Sequence, residues 1–130
     1  MGFFDFRKKK GEVQEPAPGP GPDFSHVDRQ KAQELARAGT LAPMYMMPLR
    51  FGGEGSERNR LFVPPVAAAL KDRCDNMVED LLRQEKVNGY ECAPEYQGTS
   101  FVPTAVTVIA KMDGKPVFTQ RIQIWGGQGQ

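Results

Sequence analysis

The stretch PVAAALKDRCDNMVEDLLRQEK, residues 65–86, decides how this chain can fold. Val66, Leu70, Cys74, Met77, Val78, Leu81 and Leu82 recur at spacings of three and four, with Ala69 between them. That period puts them along one side of an α-helix. Lys71, Asp72, Asp75, Asn76, Glu79, Asp80 and Arg83 fill the opposite side, and Glu79 sits one turn before Arg83 as a favourable ion pair. Pro64 and Pro65 suit the first turn, where a missing N–H costs nothing, and Asn88-Gly89 ends the helix.

Three strands are expected after it. Residues 90–97 alternate Tyr90, Cys92, Pro94 and Tyr96 against Glu91, Ala93 and Glu95. Residues 101–112 and 116–125 flank Asp113-Gly114, a strong hairpin signal. A two-residue turn would pair Ile109 with Phe118 and Val106 with Arg121, mixing polar and apolar on both faces. A three-residue loop with Gly114 as a left-handed bulge sorts them. Val106, Val108, Ala110, Phe118, Ile122 and Ile124 then share one face, and Thr107, Lys111, Thr119, Arg121 and Gln123 the other. A slip of one residue turns every side chain over, so burial selects the second register.

Before the long helix, APMYMMPLRF (42–51) reads as an extended strand, and Pro43 and Pro48 mark it as an edge or a bulged strand. GGEGSERNR (52–60) reads as a mobile polar loop, and LFVPP leads into the helix. A first helix is expected over residues 25–38, with Ser25 and Asp28 as a capping-box-like start and Gly39 as its stop. Its apolar stripe of Val27, Leu35 and Ala38 is thin, which makes the helix peripheral or packs it on a partner. The fold class is α+β in the order α-β-α-β-β-β: an antiparallel sheet of about four strands, the long helix covering one face, and a short peripheral N-terminal helix.

A length of 130 residues fits one domain, with 39% hydrophobic and 25% charged residues. The expected division is a flexible tail over 1–23, an α+β domain over 24–125, and a disordered tail over 126–130. A net charge of +1 gives no global reason to bind nucleic acid, and the RNP pattern is missing. Cys74 and Cys92 are the only cysteines, without a CxxC, so a disulfide scaffold is not expected. No run of about 18 apolar residues is present. The charges at the start follow the apolar residues instead of preceding them, unlike a secretory signal. Phe6 stands where N-myristoylation wants Ser or Thr. The expected location is the cytoplasm, with a peripheral membrane position as the alternative.

Chemistry-bearing patterns are few. His26 is the sole histidine, at the start of the first helix, and the Cys and His spacing suits no ordinary zinc site, so no metal or cofactor is expected. Glu91 and Glu95 stand roughly 13 Å apart along a strand, too far for a glycosidase pair. The loop lacks the Gly-Lys-Ser/Thr of a P-loop, but Arg50, Arg58 and Arg60 can grip an anion, because a guanidinium suits carboxylate and phosphate. Met44, Tyr45, Met46 and Met47 form a candidate interface edge, since methionine adapts to varied surfaces and an edge strand can accept another.

The start, MGFFDFRKKK, sets Phe3, Phe4 and Phe6 beside Arg7, Lys8, Lys9 and Lys10. It reads as a disordered tail without a role of its own, as a docking peptide for a protein groove, or as a weak contact with an anionic membrane. GEVQEPAPGPGP (11–22) tethers it with an upper reach of roughly 35 Å. The function expected from these features is that of a non-catalytic accessory or adaptor domain whose partner is another protein, with a homodimer left open. The alternatives are an anion- or small-molecule-binding domain or small enzyme using Tyr90, Tyr96, Arg121 or the arginine loop, and a peripheral membrane protein held by residues 1–10.

Overall fold

Pro65 opens the long helix where the sequence places it. The computed structural model describes residues 23–126, in the order α1 (Arg29–Arg37), β1 (Ala42–Tyr45), β2 (Arg60–Val63), α2 (Pro65–Arg83), β3 (Gly89–Glu95), β4 (Ala105–Met112) and β5 (Lys115–Gln123). The class is α+β. Of the expected tails over 1–23 and 126–130, residues 1–22 and 127–130 lie outside the described residues.

Among the described residues the strands number five and fall into two antiparallel sheets, β1-β2 and β3-β4-β5, where the sequence suggested about four in one sheet. The added strand is β2. Its four residues run directly into Pro64 and read from sequence as a lead-in to the helix. They pair with β1 from Ala42–Val63 to Tyr45–Arg60, so the expected 42–51 strand stops at Tyr45 and gives way to a 3-10 turn at Leu49–Phe51. Alternation along this ribbon sets Met44, Leu61 and Val63 on one face and Phe62 and Arg60 on the other.

Each face meets a different core. Met44, Leu61 and Val63 pack with Ala67, Cys74 and Val78 of α2 and with Val106, Val108, Ala110 and Ile122 of the larger sheet. Phe62 packs with Phe24, Val27, Ala32, Leu41, Val102 and Trp125. The first helix lies at the margin of this second core: Ala32 is its one buried residue, and Leu35 and Ala36 press on the cluster. It is shorter than the expected 25–38 because Asp28, not Ser25, is its N-cap, accepting from the Lys31 amide at 2.8 Å.

The hairpin satisfies two demands at once. Asp113 and Gly114 both take positive φ, as a two-residue type I′ turn requires, and Met112 pairs with Lys115. The extra residue is placed further along, at Val117, so that Ala110 pairs with Phe118 and Val106 with Ile122. Burial thus selects the expected register, but through a bulge in β5 instead of a three-residue loop.

Residues 52–60 are more structured than a mobile loop. The Asn59 side chain accepts from the Met47 amide and donates to the carbonyls of Met47 and Glu54. A Cβ at Gly53 would lie 2.0 Å from the Met47 carbonyl oxygen, so only glycine permits this approach. A second 3-10 turn, Glu57–Asn59, delivers the chain to β2.

The two helices stop in the same way. After α1, Gly39 and Thr40 donate to the carbonyls of Ala36 and Leu35; after α2, Glu85 and Lys86 donate to those of Leu82 and Leu81. Both are Schellman closures, and the residue at the left-handed position is Gly39 in one and Glu85 in the other, at φ +86° and +60°. This also ends α2 at Arg83, ahead of the expected Lys86. A non-glycine residue there costs about 1–2 kcal/mol, and a carboxylate at a helix C-terminus opposes the helix dipole. Glu85→Gly should therefore raise the unfolding free energy by about 1 kcal/mol in urea titration, whereas Gly39→Ala should lower it by about the same amount.

Candidate functional site

Two charged side chains expected on the wet side of α2 face inward. Lys71 is 1% exposed and Asp75 4%, whereas Val66 and Met77 of the predicted apolar stripe are 69% and 47% exposed. The helix is rotated relative to its apolar pattern, and its buried line is Ala67, Lys71, Cys74, Asp75 and Val78. A buried ammonium is tolerated only when its donors are used. Lys71 Nζ donates to Asp75 Oδ2 at 2.7 Å and to Tyr90 Oη at 2.9 Å. The Tyr90 hydroxyl in turn donates to Asp75 Oδ1 at 2.6 Å and lies 3.3 Å from the Met46 carbonyl. Phe51 packs edge-on against the Tyr90 ring. The triangle joins α2, β3 and the segment following β1, and its Lys71 and Asp75 line a cleft of about 400 Å³ together with Met44, Tyr45, Leu49 and Arg50.

Its chemistry is that of a lock. Burial, reinforced by the bond to Asp75, pushes the Tyr90 hydroxyl above its ordinary range. Burial pushes Cys74 up to about 12 and Cys92 up to about 11, so neither thiol supplies thiolate near neutrality. Cys74 and Cys92 are both unpaired.

A different cleft, of about 240 Å³, opens on the far side of the β1-β2 ribbon. Arg29 of α1, Arg58 and Arg60 supply three cations, against the single carboxylate of Glu57. Phe62, Tyr96 and Phe101 are among its walls. Arg29 is paired with Glu57 at 2.6 Å and lies over the Phe101 ring at 5.5 Å. Arg60 lies over Phe62 at 5.3 Å, held there because the two share a strand face. Among the described residues, Arg60 Nε is a buried side-chain nitrogen with no hydrogen-bond partner. Arg58 is exposed and has no ion pair with a described residue. Partial burial raises the Tyr96 phenol above its ordinary range.

The structure divides the arginines singled out in the sequence. Arg58 and Arg60 meet in this cleft. Arg50 instead lies on α2, bonded to Asn76 at 3.0 Å and within 4 Å of Asp72 and Glu79. Arg29 had been read only as part of a thin helix, and nothing local signals its role, because α1 and β2 converge only in the tertiary fold. Of the methionine-rich edge, Met44 is buried in the main core, and Tyr45, Met46 and Met47 are half-buried. Among the described residues β1 pairs with β2 alone. Phe3, Phe4, Phe6, Arg7, Lys8, Lys9 and Lys10 lie outside the described residues.

On the outer face of the larger sheet, Glu95 takes two bonds from Arg121, at 2.9 and 3.1 Å, and Glu91 pairs with Lys111 at 2.8 Å. The Arg121 bonds hold the Glu95 carboxyl below the usual range. His26 is exposed in a turn ahead of α1. No three metal-ligating side chains gather among the described residues, and no helix among them is long and apolar enough to cross a membrane.

Removing one member of a buried ion pair strands the other, at a cost of about 3–5 kcal/mol, while replacing the whole set by apolar groups is far milder. Lys71→Met should therefore lower the unfolding free energy by about that amount, and Lys71→Met/Asp75→Leu/Tyr90→Phe should recover most of it. The thiols provide a pH test. Their folded pKa values lie above the unfolded ones, so their contribution is complete below about pH 9 and is lost as pH rises from there toward the folded values. The urea midpoint should fall between pH 8.5 and 10.5, and fall less in Cys74→Ala/Cys92→Ala. Comparison with known proteins finds no family model, no curated protein and no solved structure that matches this chain.

Proposed function

We propose that this is a non-catalytic binding domain, and that the Arg29–Arg58–Arg60 cleft takes an acidic segment of another protein. The observation that carries this reading is the gathering of Arg29, Arg58 and Arg60 around the single carboxylate of Glu57, with Arg58 exposed and in no ion pair with a described residue. A guanidinium with exposed donors and no ion-pair partner fits an incoming carboxylate or phosphate. The volume suits one or two side chains better than a drug-sized molecule. Aromatic walls beside the cations suit an apolar residue next to the anion.

The nucleophile candidates support a binding role over a catalytic one. Both thiols are shifted toward their neutral forms, and the Lys71 ammonium is engaged by Asp75 and Tyr90. Two unpaired thiols suit a reducing compartment, and we place the domain's work in the cytoplasm on that ground.

The test is an NMR titration of the full chain with an acidic pentapeptide carrying a central phenylalanine, against its neutral amide counterpart. The acidic peptide should shift the amides of Arg58, Arg60 and Phe101, and the neutral one should not. Arg58→Glu should weaken binding by about 10- to 100-fold, the worth of one charge-assisted bond, and added salt should weaken it further. Equal binding of both peptides, or shifts centred elsewhere, would count against the reading.

A further inference from the structure

We infer that the cleft also takes the chain's own Phe3-Phe4-Asp5-Phe6, so that an external acidic partner has to displace it; this rests on the anion-binding reading above. The segment has the chemistry that the cleft asks for: one carboxylate flanked by aromatic rings, for a site walled by Phe62, Phe101 and Tyr96 and carrying Arg58 and Arg60. Arg7, Lys8, Lys9 and Lys10 follow at once, and a cationic cleft rejects them. That repulsion fixes the register, because sliding the chain forward would bring like charges together.

Connectivity favours occupation by the same molecule. The described chain begins beside the cleft wall: the Phe101 amide donates to the Val27 carbonyl at 2.7 Å, and Ser100 Oγ donates to the Phe24 carbonyl at 2.6 Å. Residues 7–22 separate Phe6 from that point. At ~3.1 Å per residue these have an upper reach of roughly 50 Å, against a radius of gyration of about 13 Å for a 100-residue domain. The segment therefore reaches the cleft without strain, at an effective concentration of about 1 mM.

The consequence is competition. A segment with an intrinsic dissociation constant of about 100 μM would fill its own cleft about nine-tenths of the time at that effective concentration, so removing it should tighten external binding about tenfold. The experiment titrates an acetylated, amidated peptide of residues 2–6 into the full chain and into Phe3→Ala/Phe4→Ala/Asp5→Ala/Phe6→Ala, following the Arg58, Arg60 and Phe101 amides. About tenfold tighter binding to the variant, independent of protein concentration and lost on adding Arg58→Glu, is the expected result. Equal, Arg58-dependent affinity for both proteins would overturn self-docking and leave the binding reading standing. An advantage that grows with protein concentration would assign the segment to a second copy and overturn it too. Absence of binding to either protein, with identical cleft shifts in both, would remove self-docking, and failure of the acidic pentapeptide as well would remove the anion site.

Discussion

A lysine ammonium cannot leave water unanswered, and the arrangement of this protein depends on how Lys71 is answered. Asp75 sits one turn along the same helix, and Tyr90 comes from a strand on the other side of the core. With both oxygens in place, the charged line of α2 can turn inward while Val66 and Met77 stay out. The gain is not in net stability, since a buried ion pair often does little better than hydrocarbon. The gain is orientation. A purely apolar stripe tolerates rotation about the helix axis, whereas a triangle of bonds at 2.6–2.9 Å does not.

That orientation determines where the β1-β2 ribbon can lie. The Tyr90 ring packs against Phe51, and its hydroxyl faces the Met46 carbonyl, both in the chain that leaves β1. The ribbon is held with Met44, Leu61 and Val63 against α2, and its other face is committed to α1. Arg60 and Phe62 lie on that second face, so the cationic cleft follows from a polar contact made on the opposite side of the ribbon. Asn59 fixes the step between them by bonding the main chain of Met47 and Glu54 just before β2 begins.

Much of the fold could be read from residues alone, for identifiable reasons. The long helix has a proline start and sustained periodicity. The hairpin register followed from burial, although the turn chemistry of Asp113-Gly114 was met separately by a bulge at Val117. The strand β2 escaped notice because Arg60-Leu61-Phe62-Val63 is one short alternation running into two prolines. The inward turn of Lys71 and Asp75 escaped notice because a charged residue on a helix is normally solvated, and only Tyr90, far away in sequence, reverses that expectation. Two members of the cleft, Arg58 and Arg60, stood out for being clustered. Arg29 and Phe101 did not, since only the packing of α1 against the second core brings them together.

The most direct measurement is of the Lys71 ammonium itself. In a ¹⁵N-detected NMR spectrum of the lysine side chains at neutral pH, the account predicts a slowly exchanging Lys71 NζH₃⁺ signal with cross-relaxation to the Tyr90 ring, while Lys31 on exposed α1 exchanges too fast to be seen. A Lys71 ammonium that exchanges as fast as that of Lys31, with no contact to Tyr90, would mean that the helix presents this residue to water and that the orientation described here is wrong.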